Sequence, residues 1–137
     1  MIGIIVQART GSTRFPNKIL NEIIDGSTII EYLLSNLRKV KHCENIVIAT
    51  TDNPKDDFLA KILSDDNVEY YRGSEIDVRQ RYIEAAEAFN FDVIVRIPSD
   101  NPFTIPSLID QLITICLLYT SDAADEGLGV DLGGRRI

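Results

Sequence analysis

The chain alternates short apolar runs with segments of helical periodicity, and this alternation restricts its possible folds more than any other feature. Residues 2–8 are nearly all apolar, as expected of a strand covered on both faces of a sheet. Residues 28–31, "TIIE", match a capping box, and apolar positions at helical spacing continue to about Lys39. A second strand is predicted at 45–51. Strand, helix and strand in this order predict an α/β protein with a mostly parallel sheet.

The same alternation continues to about residue 117. Asn53 and Pro54 provide an N-cap and a first-turn proline for a second helix. Apolar spacing predicts that the buried face of this helix consists of Phe58, Leu59, Ile62 and Leu63. The remaining predicted elements are a strand at 68–71, a helix at 76–89, a strand at 92–97 and a helix from Pro106 to about Leu117. We therefore predict one domain over residues 1–117.

Residues 118–137, "LYTSDAADEGLGVDLGGRRI", differ from the rest of the chain. They show no sustained period and contain four of the chain's eight glycines. Little apolar surface is available for burial, so we predict a poorly ordered tail. The string also resembles translated sequencing-adapter DNA, which indicates a non-native end. A flexible native tail is the alternative, and neither interpretation assigns the segment a function.

The net charge of −7 argues against a broad nucleic-acid or membrane surface, because both partners need a basic face. The basic residues are nevertheless concentrated near the start. Up to residue 21 the chain carries Arg9, Arg14 and Lys18 and no acidic residue. The opening apolar run is too short for a membrane span and lacks the basic start of a signal peptide, so we expect a cytoplasmic protein.

The loop after the first strand combines the groups that bind phosphate. In open α/β sheets, ligands bind beyond the carboxyl ends of the strands. Gly11 permits a tight turn whose N–H groups face an anion, and the hydroxyl of Ser12 adds a donor. Arg9 and Arg14 offer forked donors, and Lys18 offers a mobile charge. The spacing does not match a Walker A loop, and no G-x-G-x-x-G occurs in the chain.

At these residues the chain resembles a known family. Residues 9–18, "RTGSTRFPNK", resemble the signature loop of the sugar-acid cytidylyltransferases, which include CMP-Kdo and CMP-neuraminate synthetases. The resemblance extends over residues 2–116 and is closest to the spore-coat polysaccharide biosynthesis branch. Asn17 replaces a glycine often found there, and asparagine tolerates left-handed backbone. Further matching segments are 49–52 "ATTD", 72–82 "RGSEIDVRQRY" and 95–102 "VRIPSDNP".

The resemblance implies a Rossmann-like three-layer α/β/α nucleotidyltransferase fold, incomplete at its C-terminus, and transfer of CMP from CTP to an acidic sugar. Such chemistry needs cations on the leaving pyrophosphate and a divalent metal across the phosphates. The resemblance gives the first task to Arg9, Arg14 and Lys18, and we expect Asp100 to bind Mg²⁺. A homodimer is the expected state of the full-length protein. The residues that would frame the nucleotide are Ala8, Gly11, Ser12, Asp52, Arg72 and Asp77.

Several of these residues have simpler explanations. Asp100 lies in "SDNP", which is rich in turn formers, and could be a turn residue or an N-cap. Asp52 could begin the helix at Pro54. Asp77 and Arg81 are spaced i,i+4 and could form a solvated salt bridge.

Two other functions remain open at this stage. One is a nucleotidyltransferase or glycosyltransferase of the same fold that uses another nucleotide, although no Asp-x-Asp motif follows a predicted strand. The other is nucleotide binding without turnover, because members of the family continue beyond this chain's length and place a second metal carboxylate there. We therefore expect the 137-residue chain itself to be weakly active or inactive.

Overall fold

A computed structural model describes residues 1–11, 16–43 and 45–126, with side chains up to residue 120. The elements in chain order are β1 (Ile2–Gln7), β2 (Glu22–Ile24), β3 (Ser27–Thr28), α1 (Ile29–Leu37), β4 (Asn45–Thr51), α2 (Asp57–Asp65), β5 (Tyr70–Gly73), α3 (Val78–Ala88), β6 (Val93–Pro98) and α4 (Pro106–Glu126). Short 3₁₀ helices occupy Lys18–Leu20 and Pro54–Asp56.

The main sheet has four strands in the order β5-β4-β1-β6, and all of its pairings are parallel. β1 lies inside the sheet and pairs with a strand on each side. At its end, Gln7 is in register with Ala49 of β4 and with Pro98 of β6. The predicted parallel α/β class is confirmed.

Helices cover both faces of this sheet. Ile4 and Val6 of β1 face a core that includes the buried residues of α1, α2 and α4, whereas Ile5 faces Tyr82 and Ala85 of α3. Alternate residues of one strand therefore belong to different cores, which explains why β1 is apolar throughout. The expected three-layer arrangement is confirmed.

Local sequence signals account for several element boundaries. The hydroxyl of Thr28 accepts a hydrogen bond from the Glu31 N–H, and the Glu31 carboxylate accepts one from the Thr28 N–H. This is the predicted capping box. The antiparallel pair β2–β3 was not predicted from the sequence, although Asp25 and Gly26 adopt positive φ angles of 49° and 77° in its turn. Asp-Gly is a strong hairpin signal, and its flanking strands are too short to show alternation.

The prediction of a buried Phe58 is wrong. Its side chain is 63% exposed, and α2 instead buries Leu59, Ala60 and Leu63. The helix begins at Asp57, and the sheet packs against the stripe formed by those three positions. Successive residues turn by about 100° around a helix, so Phe58 lies outside this stripe.

The last helix is longer than expected. α4 continues to Glu126, whereas the apolar pattern predicted an end near Leu117. Adding one residue to an existing helix costs far less than starting a new one, so the helix can extend into "SDAADE" without an apolar stripe. Residues 127–137 lie outside the described ranges.

The apolar side chains of α4 are divided between core and surface. Ile109 and Ile113 are buried, whereas several others are exposed, namely Leu108, Leu112, Ile115, Leu117, Leu118 and Tyr119. None of the helices in the described ranges combines the length and the apolar content that a membrane crossing requires.

Gly3 permits close packing of β1 against Phe91. A Cβ atom at Gly3 would lie 2.3 Å from two atoms of the Phe91 ring. We expect Gly3→Ala to lower the free energy of unfolding by about 1–3 kcal/mol, because the ring or the strand must shift. Urea unfolding measures the change. Ile76→Ala, at a side chain that is 94% exposed, is the control and should stay within about 0.5 kcal/mol. An unchanged midpoint for Gly3→Ala would contradict this packing.

Candidate functional site

The loops that carry the predicted site residues leave the sheet at one edge. The Ala8 N–H donates to the Ala49 carbonyl at 3.1 Å, which joins the ends of β1 and β4. The Ser99 N–H donates to the Gln7 carbonyl at 3.1 Å, and the Asp52 N–H donates to the Gly73 carbonyl at 2.9 Å. Because all four strands are parallel, this edge gathers the carboxyl ends of β1, β4, β5 and β6. Ligands bind at this edge in α/β proteins.

A backbone hydrogen bond joins the two described ends of the loop after β1. Ala8 is buried, Arg9 is exposed, and the Thr10 carbonyl accepts a hydrogen bond from the Asn17 N–H at 3.1 Å. Asn17 has φ 57° and ψ 20°, a left-handed backbone that asparagine tolerates. The 3₁₀ helix then begins at Lys18, so the lysine is held near the start of the loop. Predicted residues Ser12 and Arg14 lie outside the described ranges.

The loops after β4 and β5 meet the β1 loop. The Asn53 side-chain amide donates to the Glu75 carboxylate at 2.6 Å. Oε1 of the same carboxylate lies 3.9 Å from the position that a Cβ atom would take at Gly11. Three loops that follow three different strands therefore converge on a small volume next to the backbone of Gly11.

Asp56 anchors the β1 loop, and sequence analysis missed it. The carboxylate is 2% exposed, and its Oδ1 accepts hydrogen bonds from the Thr10 N–H at 2.7 Å and the Thr10 hydroxyl at 2.6 Å. Oδ2 accepts a hydrogen bond from the Thr51 hydroxyl. Burial by itself raises the pKa of Asp56, but these donors, together with the positive charge of Arg72, lower the pKa below its ordinary value. No sequence signal distinguished Asp56 from its neighbour Asp57.

The guanidinium of Arg72, predicted to frame the nucleotide, binds groups of its own chain. Its Nε donates to the Thr51 carbonyl at 3.0 Å, and its Nη2 donates to the Asn53 carbonyl at 3.1 Å. Nη2 also forms an ion pair with Asp57 at 2.6 Å. In this arrangement Arg72 fixes the loop after β4, which lies beside the convergence point.

Asp77 and Asp52 lie at the same edge with different local roles. Asp77 is the N-cap of α3, and its Oδ1 accepts a hydrogen bond from the Gln80 N–H at 2.9 Å. Arg81 is fully buried, so the two do not form the solvated pair that the sequence left open. Asp52 is exposed, and Asn53 rather than Asp52 caps the following 3₁₀ helix through the Lys55 N–H at 2.9 Å. The Asp52 side chain is thus not occupied by capping.

Arg81 is the largest fully buried side chain in the described chain. Its Nη1 donates to the Ser74 carbonyl at 2.8 Å, and its Cγ lies 3.0 Å from the position of a Cβ atom at Gly73. Burial lowers the pKa of Arg81, and the nearby positive charge of Arg9 lowers it further. Sequence analysis considered this residue only as a partner of Asp77.

Asp100 is exposed and follows β6 directly after Ser99. The hydrogen bond from Ser99 to Gln7 places it at the same edge as the β1 loop. Within the described residues, no group of three or more His, Cys, Asp or Glu side chains could hold a metal ion. A single carboxylate suits Mg²⁺ that is bound mainly by substrate phosphates and water, and it does not form a metal site without substrate.

Similarity to known proteins identifies the family of this chain. Residues 3–121 match the family described as "Cytidylyltransferase", so the chain belongs to the cytidylyltransferase family. It is 38% identical, with a TM-score of 0.77, to a solved cytidylyltransferase from Leptospira borgpetersenii, covering 83% of this chain and 48% of that one. The nucleotidyltransferase type of the fold is thereby confirmed.

Three relatives from other organisms share the family. The chain is 43% identical to the uncharacterized protein MJ1063 of Methanocaldococcus jannaschii over 86% of its length, and 37% identical to the spore coat polysaccharide biosynthesis protein SpsF of Bacillus subtilis over 80%. It is 30% identical over 80% to the 3-deoxy-manno-octulosonate cytidylyltransferase of Geobacter metallireducens. These matches cover 48%, 47% and 42% of the relatives, so the chain spans about half their length.

The Asp56 anchor makes stability depend on pH. Since its folded-state pKa is lowered, the carboxylate's contribution is complete above about pH 4 and is lost as the pH falls through the folded value. We expect Asp56→Asn to lower the free energy of unfolding at pH 7 by about 1.5–3 kcal/mol, with a difference that shrinks below pH 4. Denaturant unfolding at several pH values measures it. Asp65→Asn, at an exposed carboxylate of α2, is the control. A difference independent of pH would contradict the charge-based role.

Proposed function

We propose that the full-length protein transfers CMP from CTP to the hydroxyl of an acidic sugar and releases pyrophosphate. The observation that carries the proposal is the convergence of the β1, β4 and β5 loops beside Gly11, with Arg9 and Lys18 on the β1 loop, in a chain of the cytidylyltransferase family. The name of the Geobacter relative supports a sugar acid as the acceptor, and the name of the Bacillus relative supports a role in polysaccharide biosynthesis.

The reaction is an in-line displacement at phosphorus. The acceptor oxygen forms a bond to the α-phosphorus of CTP, the bond from that phosphorus to the bridging oxygen breaks, and pyrophosphate leaves. The proton of the attacking hydroxyl is released to solvent or to a base. Negative charge accumulates on the leaving group, so cations positioned there stabilise the transition state.

The β1 loop is suited to hold the leaving pyrophosphate. Arg9 is exposed and can reach an anion, and Lys18 is held close to the start of the loop by the hydrogen bond from Asn17 to Thr10. Asp56 fixes Thr10 and therefore the path of the backbone on either side of it. Mg²⁺, when bound, would supply charge neutralisation across the phosphates, and Asp100 is the carboxylate that we propose holds it.

A second candidate is nucleotide binding without turnover by this chain. The chain spans about half the length of its relatives, and among the described residues Asp100 has no second and third carboxylate grouped for a metal. CTP turnover with a panel of sugar acids should therefore be measured on this chain and on a full-length version. Pyrophosphate release that needs the longer protein and a sugar acid is the result we expect. A full-length protein that releases none would overturn the proposed transfer.

The two described cations of the β1 loop should contribute to triphosphate binding. We expect Arg9→Ala and Lys18→Ala each to weaken CTP binding by about tenfold or more, because each removes a charged donor from the phosphates. Calorimetric titration in the presence of Mg²⁺ measures the affinity. Lys39→Ala removes an exposed cation just beyond α1 and is the matched control, which should leave binding unchanged. Equal losses in all three variants would indicate nonspecific charge attraction.

Asp100 should link CTP binding to Mg²⁺. We expect the ion to strengthen CTP binding by the chain and Asp100→Asn to remove most of this gain, because an amide cannot replace a carboxylate on a hard cation. Titrations with and without Mg²⁺ separate the metal effect from direct contacts. Asp65→Asn, on the exposed end of α2, should retain the full gain. A full Mg²⁺ response in Asp100→Asn would exclude Asp100 as the ligand.

A further inference from the structure

The loop between β6 and α4 presents Asp100 from between two buried residues. Ser99 and Pro102 are buried, whereas Asp100 and Asn101 are exposed. The Ser99 N–H donates to the Gln7 carbonyl at 3.1 Å, which joins the start of the loop to the end of β1. Asp100 therefore leaves the sheet from a fixed point, and its position depends further on what holds the loop beyond it.

The Asp100 carboxylate has no partner that would orient it. Among the described residues, no group forms a hydrogen bond or an ion pair with this side chain. The Thr104 hydroxyl donates to the Asn101 carbonyl at 2.9 Å, but this contact lies within the loop and does not join it to another element. The placement of the carboxylate therefore depends on how the backbone on either side of Asp100 is held.

Asn36 of α1 supplies the second attachment of this loop. Its Nδ2 donates to the Pro102 carbonyl at 3.2 Å, and the two residues are 66 positions apart in the chain. Proline has no N–H, so the carbonyl is the only backbone group through which Pro102 can form a hydrogen bond. Buried carbonyl groups are ordinarily paired, and Asn36 provides the donor here.

Tyr32, one turn before Asn36 on α1, contacts the next residue of the loop. The ring centroids of Tyr32 and Phe103 are 5.7 Å apart, with their planes at 64°, in an edge-to-face arrangement. Residues spaced i and i+4 share one face of a helix, so a single face of α1 contacts two consecutive loop residues. The hydrogen bond restricts the loop more narrowly than the rings do, because it weakens steeply when misaligned, whereas ring pairs are favourable over centroid distances of about 4.5–7 Å.

We propose that Asn36 is a positioning residue for Asp100. Its amide holds the backbone at Pro102, and the Asp100 carboxylate is thereby kept at the edge of the sheet where the β1 loop lies. The inference rests on the proposed function, in which Asp100 binds Mg²⁺, and adds to it a residue that acts from another element through the backbone. Removal of a group that holds a metal ligand in place lowers the affinity for the metal.

Calorimetric titration of CTP with and without Mg²⁺ tests this role on the 137-residue chain. Asn36→Leu replaces the amide by an apolar group with the same branching and leaves the Pro102 carbonyl without its donor. We expect the variant to lower the Mg²⁺-dependent gain in CTP affinity by about threefold to tenfold, less than removal of a group that contacts the ligand directly. CTP affinity without Mg²⁺ should stay unchanged, which a general loss of structure would not allow.

Ser35→Ala is the matched control on the same helix. The Ser35 hydroxyl donates to the Tyr32 carbonyl at 2.7 Å, a contact confined to α1, so this variant should keep the full gain from Mg²⁺. Thermal unfolding shows whether Asn36→Leu is folded. If it is not, Asn36→Ala provides the same test, because alanine has the highest helix propensity and also lacks the donor.

The possible failures are distinguishable. If the unaltered chain shows the gain from Mg²⁺ and a folded Asn36 variant keeps it in full, the role of Asn36 is overturned while the proposed function stands. If a folded variant loses CTP affinity equally with and without Mg²⁺, Asn36 supports the whole site rather than Asp100, and its proposed role is likewise overturned. If the unaltered chain binds no CTP, or gains nothing from Mg²⁺, the proposed function fails at CTP binding or at Asp100, and the role of Asn36 fails with it.

Discussion

The parallel pairing of β1 with a strand on each side determines where every other part of the site lies. Gln7 is in register with Ala49 on one side and with Pro98 on the other, so the loops after β1, β4 and β6 leave the sheet at the same level. β5 extends the same edge through the Asp52 and Gly73 backbone groups. Displacing one of these strands by a single residue would reverse the faces of its side chains and move its loop away from the others.

The polar groups at this edge differ in how many partners they have within the protein. Asp56 is fully supplied with donors from Thr10 and Thr51, and Arg72 is held by two carbonyl groups and a carboxylate. These residues give the loops fixed positions. Arg9 and Asp100, by contrast, are exposed, and Arg81 keeps two donors that no described residue pairs. The residues held by their own chain support the loops, whereas Arg9 and Asp100 are exposed at the edge where we propose that a nucleotide binds.

Sequence patterns predicted the fold well where one local signal determines the structure. The capping box at Thr28 and the apolar strand β1 both follow from the preferences of a few adjacent residues. Phe58 and the end of α4 were predicted wrongly, because the buried stripe of a helix depends on what packs against it, and because helix extension needs no tertiary partner. The site was predicted only in part. The resemblance located the β1 loop and Asp100, since both belong to contiguous motifs.

The sequence did not reveal Asp56 or Arg81 as special, because their importance arises from burial and from partners that lie on other elements. Thr10 and Asp56, for example, are 46 positions apart. No short pattern indicates that one carboxylate of "KDD" faces inward while the next faces solvent.

The backbone at Asn17 restricts which amino acids the chain can accept there. A left-handed turn with φ 57° suits asparagine, aspartate or glycine, and it strains a β-branched side chain. Replacement of Asn17 by glycine should therefore change the free energy of unfolding little. Valine or isoleucine would strain the turn that precedes Lys18. Asparagine and glycine are therefore both compatible with this backbone turn.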